Sequence, residues 1–365
     1  MSTIRLAVVD DSAFVRKAIK RMLEADERVE IVGLASTGEE LLENLKTWRP
    51  DIVALDLCMP GMGGLMTLPY ILEWKRIPVI IMSTHSGKET RMAIEALHRG
   101  AIDFIDKQQY SLVDFHRSRA VLLEKILSLT RGPDDSGGKV EEPAAHDESY
   151  RAETRLMGDL RYEALFIGAS TGGPPAIQKI LEELGPLPKM PIAVVQHMPE
   201  GFTKAFADRL NAHLPFRVQE ARHAEVFRPG TAYIGPTGHH LRIKRDVNTF
   251  YTVLTKFPDT LTHRPAVDIL FESAAQAYGA KACAVLLTGM GRDGAAGMAE
   301  LAKEGAYTIA EDESTCVVNG MPKAAVQIGA VRQVLPLNRI ARRIADLFAP
   351  QEPGGRGAEE SSIEP

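Results

Sequence analysis

The sequence predicts an α/β protein with two domains, and three observations support that prediction. The chain has 365 residues, which is too long for one ordinary domain and suits two of average size. In both halves short apolar runs alternate with segments of helical period, a pattern typical of parallel sheets covered by helices. Between the halves, residues 131–157 contain few apolar side chains and many acidic ones.

The first domain is expected to span residues 1–130 and to repeat a strand followed by a helix five times. The strands are predicted at Ile4–Asp10, Val29–Ala35, Ile52–Asp56, Pro78–Met82 and Ala101–Ile105. The helices are predicted near 12–25, 38–48, 64–74, 88–99 and 114–130. Because right-handed crossovers are the default in such repeats, we expect a parallel five-stranded sheet with flavodoxin-like strand order.

A second, doubly wound α/β domain is expected at residues 158–349, between a flexible linker (131–157) and a disordered tail (350–365). Its buried strands are predicted at Ala164–Gly168, Ile192–Gln196, Ala282–Leu287 and Tyr307–Ala310. Its helices are predicted at 174–184, 201–211, 266–278 and 294–304. The stretch 213–256 contains several turn sequences, such as Pro229-Gly230. We interpret it as a β-hairpin insertion in a mainly parallel sheet.

Composition excludes several classes of protein. The net charge of −5 gives no electrostatic reason to expect nucleic acid as a partner. The three cysteines form no CxxC pair, which disfavours zinc ribbons and disulfide frameworks and indicates a reducing compartment. No uninterrupted apolar run approaches the roughly 20 residues that span a bilayer. We therefore expect a cytoplasmic protein that does not insert into the membrane.

Polar residues follow the predicted strands of the first domain at the edge where an open parallel sheet gathers its chemistry. They are Asp10, Asp11, Asp56, Ser83 and Lys107. Three converging carboxylates repel one another unless a cation neutralises them, and oxygen-only ligands favour Mg²⁺. The hydroxyl of Ser83 and the ammonium group of Lys107 can then hold a phosphoryl group on a carboxylate. Taken singly, the same residues suit helix caps, loop acids or a solvated surface charge.

The motifs around these residues resemble the receiver domain of two-component response regulators. They read Val-Val-Asp10-Asp11-Ser, Leu-Asp56-Leu-Cys-Met-Pro-Gly-Met-Gly-Gly, Ile-Met-Ser83-Thr and Asp-Phe104-Ile-Asp-Lys107. The resemblance implies that Asp56 is the phosphoacceptor and that Asp10, Asp11 and Asp56 bind Mg²⁺. It also implies a phosphorylation switch made of Ser83, Phe104 and Lys107. Gln108 departs from the family pattern, which usually has proline there.

The second domain carries a serine in a G-x-S-x-G sequence between a strand and a helix. The segment is Gly168-Ala169-Ser170-Thr171-Gly172-Gly173, which predicts a sharp turn that exposes the serine hydroxyl. Amides at the following helix N-terminus can stabilise an oxyanion. The alternative is a glycine-rich phosphate-binding turn, but neither the G-x-G-x-x-G nor the P-loop spacing fits.

A base and an acid follow the serine along the chain. His197 ends the next predicted strand, and Asp293 follows a fully apolar strand at the start of a helix, where capping is its alternative role. A serine needs a neutral imidazole to take its proton and a carboxylate to orient that imidazole. The order Ser-His-Asp differs from the α/β-hydrolase order, so that fold is disfavoured. The His239-His240 pair lacks a third metal ligand and is expected to contact substrate, solvent or nothing.

The motifs of this domain are similar to those of the chemotaxis protein-glutamate methylesterases, the CheB family. They include Ile-Gly-Ala-Ser170-Thr-Gly-Gly, Gln-His197-Met-Pro-Glu-Gly-Phe-Thr, His263-Arg-Pro-Ala-Val-Asp and Thr-Gly-Met-Gly-Arg-Asp293-Gly. The resemblance implies that Ser170 is the nucleophile, His197 the base and Asp293 the orienting acid. It places Thr171 and Met290 near the oxyanion.

The same resemblance implies the activity, the partners and the regulation. The enzyme would demethylate glutamate methyl esters on methyl-accepting chemoreceptors through an acyl-enzyme, release methanol, and also deamidate glutamines. A chemotaxis histidine kinase would phosphorylate Asp56 with Mg²⁺ and thereby relieve inhibition by the receiver, whereas the esterase chemistry needs no cofactor. A monomer is expected. Two alternatives stay open, a non-enzymatic scaffold and a hydrolase acting on another pathway's ester or amide.

Overall fold

The computed structural model describes residues 3–84, 87–107, 115–130, 162–185 and 190–349, without the side chains of 115–118 and 130. The predicted linker, the predicted tail and Gln108 lie outside these residues. Among the helices described, none combines the length and the apolar character needed to cross a membrane.

In the described part of the chain, five parallel strands form the first sheet, in the order β2-β1-β3-β4-β5. The strands are β1 (Ile4–Val9), β2 (Val29–Ala35), β3 (Ile52–Asp56), β4 (Val79–Ser83) and β5 (Asp103–Asp106). The helices are α1 (Ala13–Leu23), α2 (Gly38–Trp48), α3 (Gly63–Trp74), α4 (Gly87–His98) and α5 (Phe115–Thr130). The flavodoxin-like order is confirmed. Strand β5 starts later than predicted because the N–H of Ala101 still bonds the carbonyl of Ala96, at the end of α4.

The second sheet has the order β15-β14-β13-β6-β7-β10-β8 among the described residues, and every pairing in it is parallel. Its strands are β6 (Ala164–Ala169), β7 (Ile192–Gln196), β8 (Arg217–Glu220), β10 (Thr231–Ile234), β13 (Ala282–Leu286), β14 (Tyr307–Glu311) and β15 (Gln333–Leu335). Its helices are α6 (Gly173–Glu183), α7 (Phe202–His213), α8 (Val267–Tyr278), α9 (Ala295–Lys303), α10 (Met321–Gln327) and α11 (Leu337–Phe348). The predicted doubly wound class is confirmed.

The stretch 213–256 is only partly the insertion that its turns predict. An antiparallel sheet does form from β9 (Glu225–Val226), β11 (His240–Asp246) and β12 (Thr249–Thr255). The assignment of β8 and β10 to that insertion was wrong, because both strands extend the main sheet beyond β7. Every residue of β10 is buried, as expected for an interior parallel strand covered on both faces.

One apolar core continues from the first domain into the second. Ile94 and Leu97 of α4 belong to the same cluster of buried side chains as Ile177 of α6 and Phe206 of α7. Separate clusters fill the opposite face of each sheet. The contact between the domains is therefore made by α4 on one side and by α6 and α7 on the other.

The close packing of α3 on β3 allows a test of the first domain. An ideal Cβ at Gly64 would lie 1.9 Å from the carbonyl oxygen of Asp56, and that backbone cannot move aside. We expect Gly64→Ala to lower the free energy of unfolding of the full chain by about 1–3 kcal/mol in urea denaturation. Gly87→Ala is the control, since a Cβ there would meet open space. Equal stability of the two variants would contradict this packing.

Candidate active site

The cluster at the carboxyl edge of the first sheet is organised around the ammonium group of Lys107. Its Nζ lies 2.8 Å from Oδ2 of Asp10 and 2.7 Å from Oδ2 of Asp56. Both carboxylates are buried, and each accepts one more hydrogen bond, from the N–H of Ser12 and of Cys58 respectively. Burial raises the pKa of Asp56, against the opposing effect of Lys107. Burial would lower the pKa of Lys107, but its bonds to both carboxylates raise it.

Three carboxylates of this cluster converge closely enough to share a cation. One oxygen from each of Asp10, Asp11 and Asp56 lies within 4.8 Å of the others, and Asp11 is exposed to solvent. An oxygen-only donor set with one solvent-facing member fits Mg²⁺, which usually keeps several water ligands. The structure thus brings together the three residues predicted to bind the metal.

The residues predicted to respond to phosphorylation lie in different surroundings. Lys107 contacts the acidic cluster, and the buried hydroxyl of Ser83 donates to the carbonyl of Thr84 at 3.0 Å. The Phe104 ring instead stacks on Phe202 of the second domain, with centroids 4.6 Å apart and planes inclined by 15°. Phe104 therefore links the first domain to α7.

Ser170 follows β6 on the predicted tight turn into α6. Its N–H donates to the carbonyl of Thr288 at 3.0 Å. Its own carbonyl accepts the N–H of Gly173 and the Nε2 of Gln196, both at 2.8 Å. Gly172 has a φ of 78°, a left-handed conformation in which a side chain would be strained. These features fix the backbone on both sides of the serine hydroxyl.

A second loop, which begins at Thr288, packs against the serine turn. A Cβ at Gly289 would lie 2.8 Å from the Cβ of Ser170, so only glycine allows this approach. Thr171 is buried, and its carbonyl accepts the Thr288 hydroxyl at 2.9 Å. Met290 is half-buried and directly follows Gly289. Both predicted oxyanion residues therefore lie near Ser170. Thr171 follows it in sequence, and Met290 follows Gly289, which packs against it.

His197 stands beside the serine and is bonded to the predicted acid. Strands β6 and β7 pair their last residues, Ala169 and Gln196, and the residues that directly follow these two strand ends are Ser170 and His197. Nε2 of His197 lies 2.7 Å from Oδ2 of Asp293. Its other nitrogen, Nδ1, is buried, and no group of the described residues hydrogen-bonds to it. Nδ1 is therefore the nitrogen available to exchange a proton with the serine.

The carboxylate of Asp293 joins this imidazole to the N-terminus of α8. Oδ2 accepts the N–H of Val267 at 2.7 Å, and Oδ1 accepts the N–H of Asp268 at 2.9 Å. Burial alone would raise the pKa of Asp293, but its hydrogen bond to His197 and these amides lower it to about 2. Asp268 in turn accepts the N–H of Gly297 in α9 at 2.8 Å. Asp293 thus caps α8 and not, as its position in the sequence suggested, the helix that follows it.

Sequence reasoning missed Gln196, which ties Ser170 to His197. Its buried Nε2 donates to the carbonyl of Ser170 at 2.8 Å and to that of His197 at 3.0 Å. The signal was present, because a polar residue at the end of the apolar run Ile192–Gln196 reaches the edge where parallel sheets place their chemistry.

Two further histidines, His240 and His263, have contacts that the sequence did not predict. The expectation that the His239-His240 pair contacts substrate, solvent or nothing was wrong for His240, which is fully buried. Its Nε2 lies 2.9 Å from the carbonyl of Pro258, and its Nδ1 accepts the N–H of Ala266 at 3.2 Å. His263, known from the sequence only as part of a motif, stacks on His197.

This architecture matches known proteins over nearly the whole chain. The sequence model of the CheB methylesterase family matches residues 165–344, and that of the response regulator receiver domain matches residues 6–114. A protein of Halalkalibacterium halodurans named protein-glutamate methylesterase/protein-glutamine glutaminase is 40% identical over 352 residues, which are 94% of this chain and 98% of that protein. The chain belongs to the CheB methylesterase family.

Other members of the family agree with this assignment. A Clostridium acetobutylicum protein of the same name is 39% identical over 345 residues, covering 94% of this chain and 97% of that protein. The crystal structure of the Thermotoga maritima CheB methylesterase catalytic domain aligns with a TM-score of 0.50 and 41% identity. It covers 51% of this chain and 98% of that structure. The receiver and methylesterase resemblances found in the sequence are therefore confirmed.

The capping role of Asp293 predicts a stability effect separate from catalysis. Asp293→Ala leaves the N–H groups of Val267 and Asp268 without their partner. We expect it to lower the free energy of unfolding by about 1–3 kcal/mol in urea denaturation, whereas Asp293→Asn keeps one acceptor and loses less. Asp208→Ala is the control, because Asp208 forms only an exposed ion pair with Lys204. If Asp293→Ala is as stable as this control, Asp293 does not cap α8.

Proposed function

We propose that this chain is a protein-glutamate methylesterase and protein-glutamine glutaminase that uses Ser170, His197 and Asp293 as a catalytic triad. The single observation that carries the proposal is the geometry of His197. One nitrogen is bonded to the half-buried carboxylate of Asp293. The other has no hydrogen-bond partner among the described residues, and it belongs to the residue that follows β7 just as Ser170 follows the neighbouring strand β6. The family's named activity and this arrangement point to the same acyl chemistry.

The reaction follows from these three groups. The Ser170 oxygen attacks the carbonyl carbon of a glutamate methyl ester while His197 takes the serine proton. Collapse of the tetrahedral intermediate breaks the bond to the methoxy group, which takes the proton from His197 and leaves as methanol. Water, deprotonated by His197, then cleaves the acyl-enzyme and restores the serine. With a glutamine substrate the same steps release ammonia.

The remaining groups support those steps. Asp293 holds the proton on Nε2 of His197 and stabilises the imidazolium that forms on proton transfer. The backbone around Thr171 and Met290 supplies N–H groups for the oxyanion, where a single donor is worth about 3 kcal/mol. Gln196 keeps the two catalytic loops at a fixed distance through its two carbonyl contacts.

The catalytic assignment predicts the effect of removing the hydroxyl. We expect Ser170→Ala to reduce methanol release from methylated chemoreceptor membranes by at least about 10³-fold, because the acyl-enzyme cannot form. Ser314→Ala is the control, since its hydroxyl contacts only Asp312 in its own exposed turn. Methanol release by Ser170→Ala at the wild-type rate would contradict an enzymatic role for the triad.

The proposed regulator of the esterase is the receiver domain. We assign it to residues 1–130, with a linker at 131–157 and the catalytic domain at 158–349. Asp56 accepts the phosphoryl group from a chemotaxis histidine kinase, and Ser83 and Lys107 contact that group. Asp10, Asp11 and Asp56 would hold Mg²⁺, whose charge offsets that of the carboxylates and of the phosphoryl group. The protein acts as a cytoplasmic monomer, with methyl-accepting chemoreceptors as its substrates.

Contacts of α4 and β5 with the catalytic domain support a regulatory role. Glu95 of α4 pairs with Arg209 of α7, and Phe104 stacks on Phe202, which begins α7 five residues after His197. We propose that these contacts restrict access to the serine. Phosphorylation of Asp56 then shifts the receiver to a state that releases them.

The ion pair between Glu95 and Arg209 permits a direct test of this inhibition. Its side chains are only 24% and 18% exposed, so its loss weakens the domain contact by about 1 kcal/mol. We expect Arg209→Ala to raise the methylesterase activity of the unphosphorylated full-length protein about 5-fold. The measurement is methanol release without a phosphodonor.

Two controls accompany that variant. Arg99→Ala removes a different partner of the same Glu95 carboxylate, but one that directly follows α4 in the first domain and does not cross the contact, so basal activity is expected to stay unchanged. Asp56→Asn is expected to show no stimulation by a small-molecule phosphodonor. If Arg209→Ala and Arg99→Ala have equal activities, or if Asp56→Asn is stimulated like the wild type, the switch assignment fails.

A further inference from the structure

The imidazole of His263 covers one face of the His197 ring. The ring centroids are 3.9 Å apart and the planes differ by only 14°. That separation is shorter than the range of roughly 4.5–7 Å found for most aromatic pairs. The two imidazole rings are therefore in direct stacked contact.

The loop that carries His263 is clamped at both ends by His240. The two ring nitrogens of this buried residue bond the carbonyl of Pro258 and the N–H of Ala266. Burial lowers the pKa of His240, which favours the neutral ring that donates at one nitrogen and accepts at the other. The segment between Pro258 and Ala266 cannot move away without breaking one of these bonds.

The same segment leads directly to the proposed catalytic acid. Val267 follows Ala266, and its N–H donates to Oδ2 of Asp293, the oxygen that also bonds His197. One short stretch of chain thus fixes His197 in two directions. Asp293 holds the ring within its plane, and His263 holds it from above. Nδ1 is left as the nitrogen for the serine proton.

The surroundings of His263 favour a neutral ring, although the residue is exposed to solvent. Partial desolvation of the ring lowers the pKa of His263, and the neighbouring His197 lowers it further. The charge of Lys125 in the receiver also lowers it, whereas that of Asp293 opposes the change. A proton on His263 would place two cations face to face whenever His197 is protonated. A neutral His263 ring avoids this repulsion.

We propose that His263 is a positioning residue for His197, an inference that rests on the esterase function proposed above. Its ring keeps the plane of His197 fixed, so that Nδ1 stays available to take the Ser170 proton. A neutral His263 also avoids placing a second positive charge beside the imidazolium formed during acyl transfer. His263 contacts no reacting atom in this role, and a flat aromatic ring without nitrogen can replace it.

The test measures how fast a fluorophosphonate labels Ser170 in the full-length chain, with acetyl phosphate and Mg²⁺ in every sample. The serine oxygen bonds to phosphorus, fluoride leaves, and His197 takes the proton, so the rate reports serine activation without any receptor. We expect His263→Ala to slow labelling about 10- to 100-fold, because a misplaced base costs that much. His263→Phe is expected to restore most of the wild-type rate.

The controls separate this role from folding and from the proposed function. His223→Ala removes an exposed histidine of the same domain and should leave the rate unchanged. Equal slowing in the Ala and Phe variants would overturn the proposal, because the nitrogens would then be needed. An unchanged labelling rate in His263→Ala would also overturn the proposal. A slower rate that is explained entirely by a lowered Tm would do the same. Wild-type protein labelled no faster than Ser170→Ala would instead contradict the esterase function itself, and this inference with it.

Discussion

The second domain of this protein depends on one half-buried carboxylate, that of Asp293. It accepts hydrogen bonds from His197 and from the first amides of α8, and these outweigh the cost of burying its charge. The same helix start follows directly after the loop that carries His263. A single acid therefore bonds the His197 imidazole, accepts hydrogen bonds from the amides that follow the His263 loop and caps a helix, so a substitution at this position changes stability as well as the contact with His197.

The pKa values of the carboxylates at the two sheet edges are shifted in opposite directions. Burial dominates at Asp56 and raises its pKa, with Lys107 as its compensating cation. Hydrogen bonds dominate at Asp293 and lower its pKa. The first arrangement suits a group that accepts a phosphoryl group and a metal ion, and the second suits a permanent anion beside an imidazole.

The contact between the domains consists of packed side chains that continue from the first domain into the second. The apolar core runs without interruption from α4 to α6 and α7, so a shift of α4 acts on packed side chains and not through solvent. Phe104 and Phe202 lie in this continuous core. Packed interfaces in general shift between discrete arrangements, which is the property that the proposed phosphorylation switch requires.

The sequence by itself determined the class of both domains, most strand positions and the order Ser170, His197, Asp293, because apolar periodicity and strand-end motifs are local signals. It failed where a partner distant in sequence decides the outcome. β8 and β10 joined the main sheet because β7 offered a free edge, and α10 and β15 were too short to show a period. Only the tertiary structure decided that Asp293 caps α8, that Gln196 and His240 tie loops together, and that His263 covers His197. Each of these rests on hydrogen bonds or ring contacts between residues far apart in the chain, which no local pattern encodes.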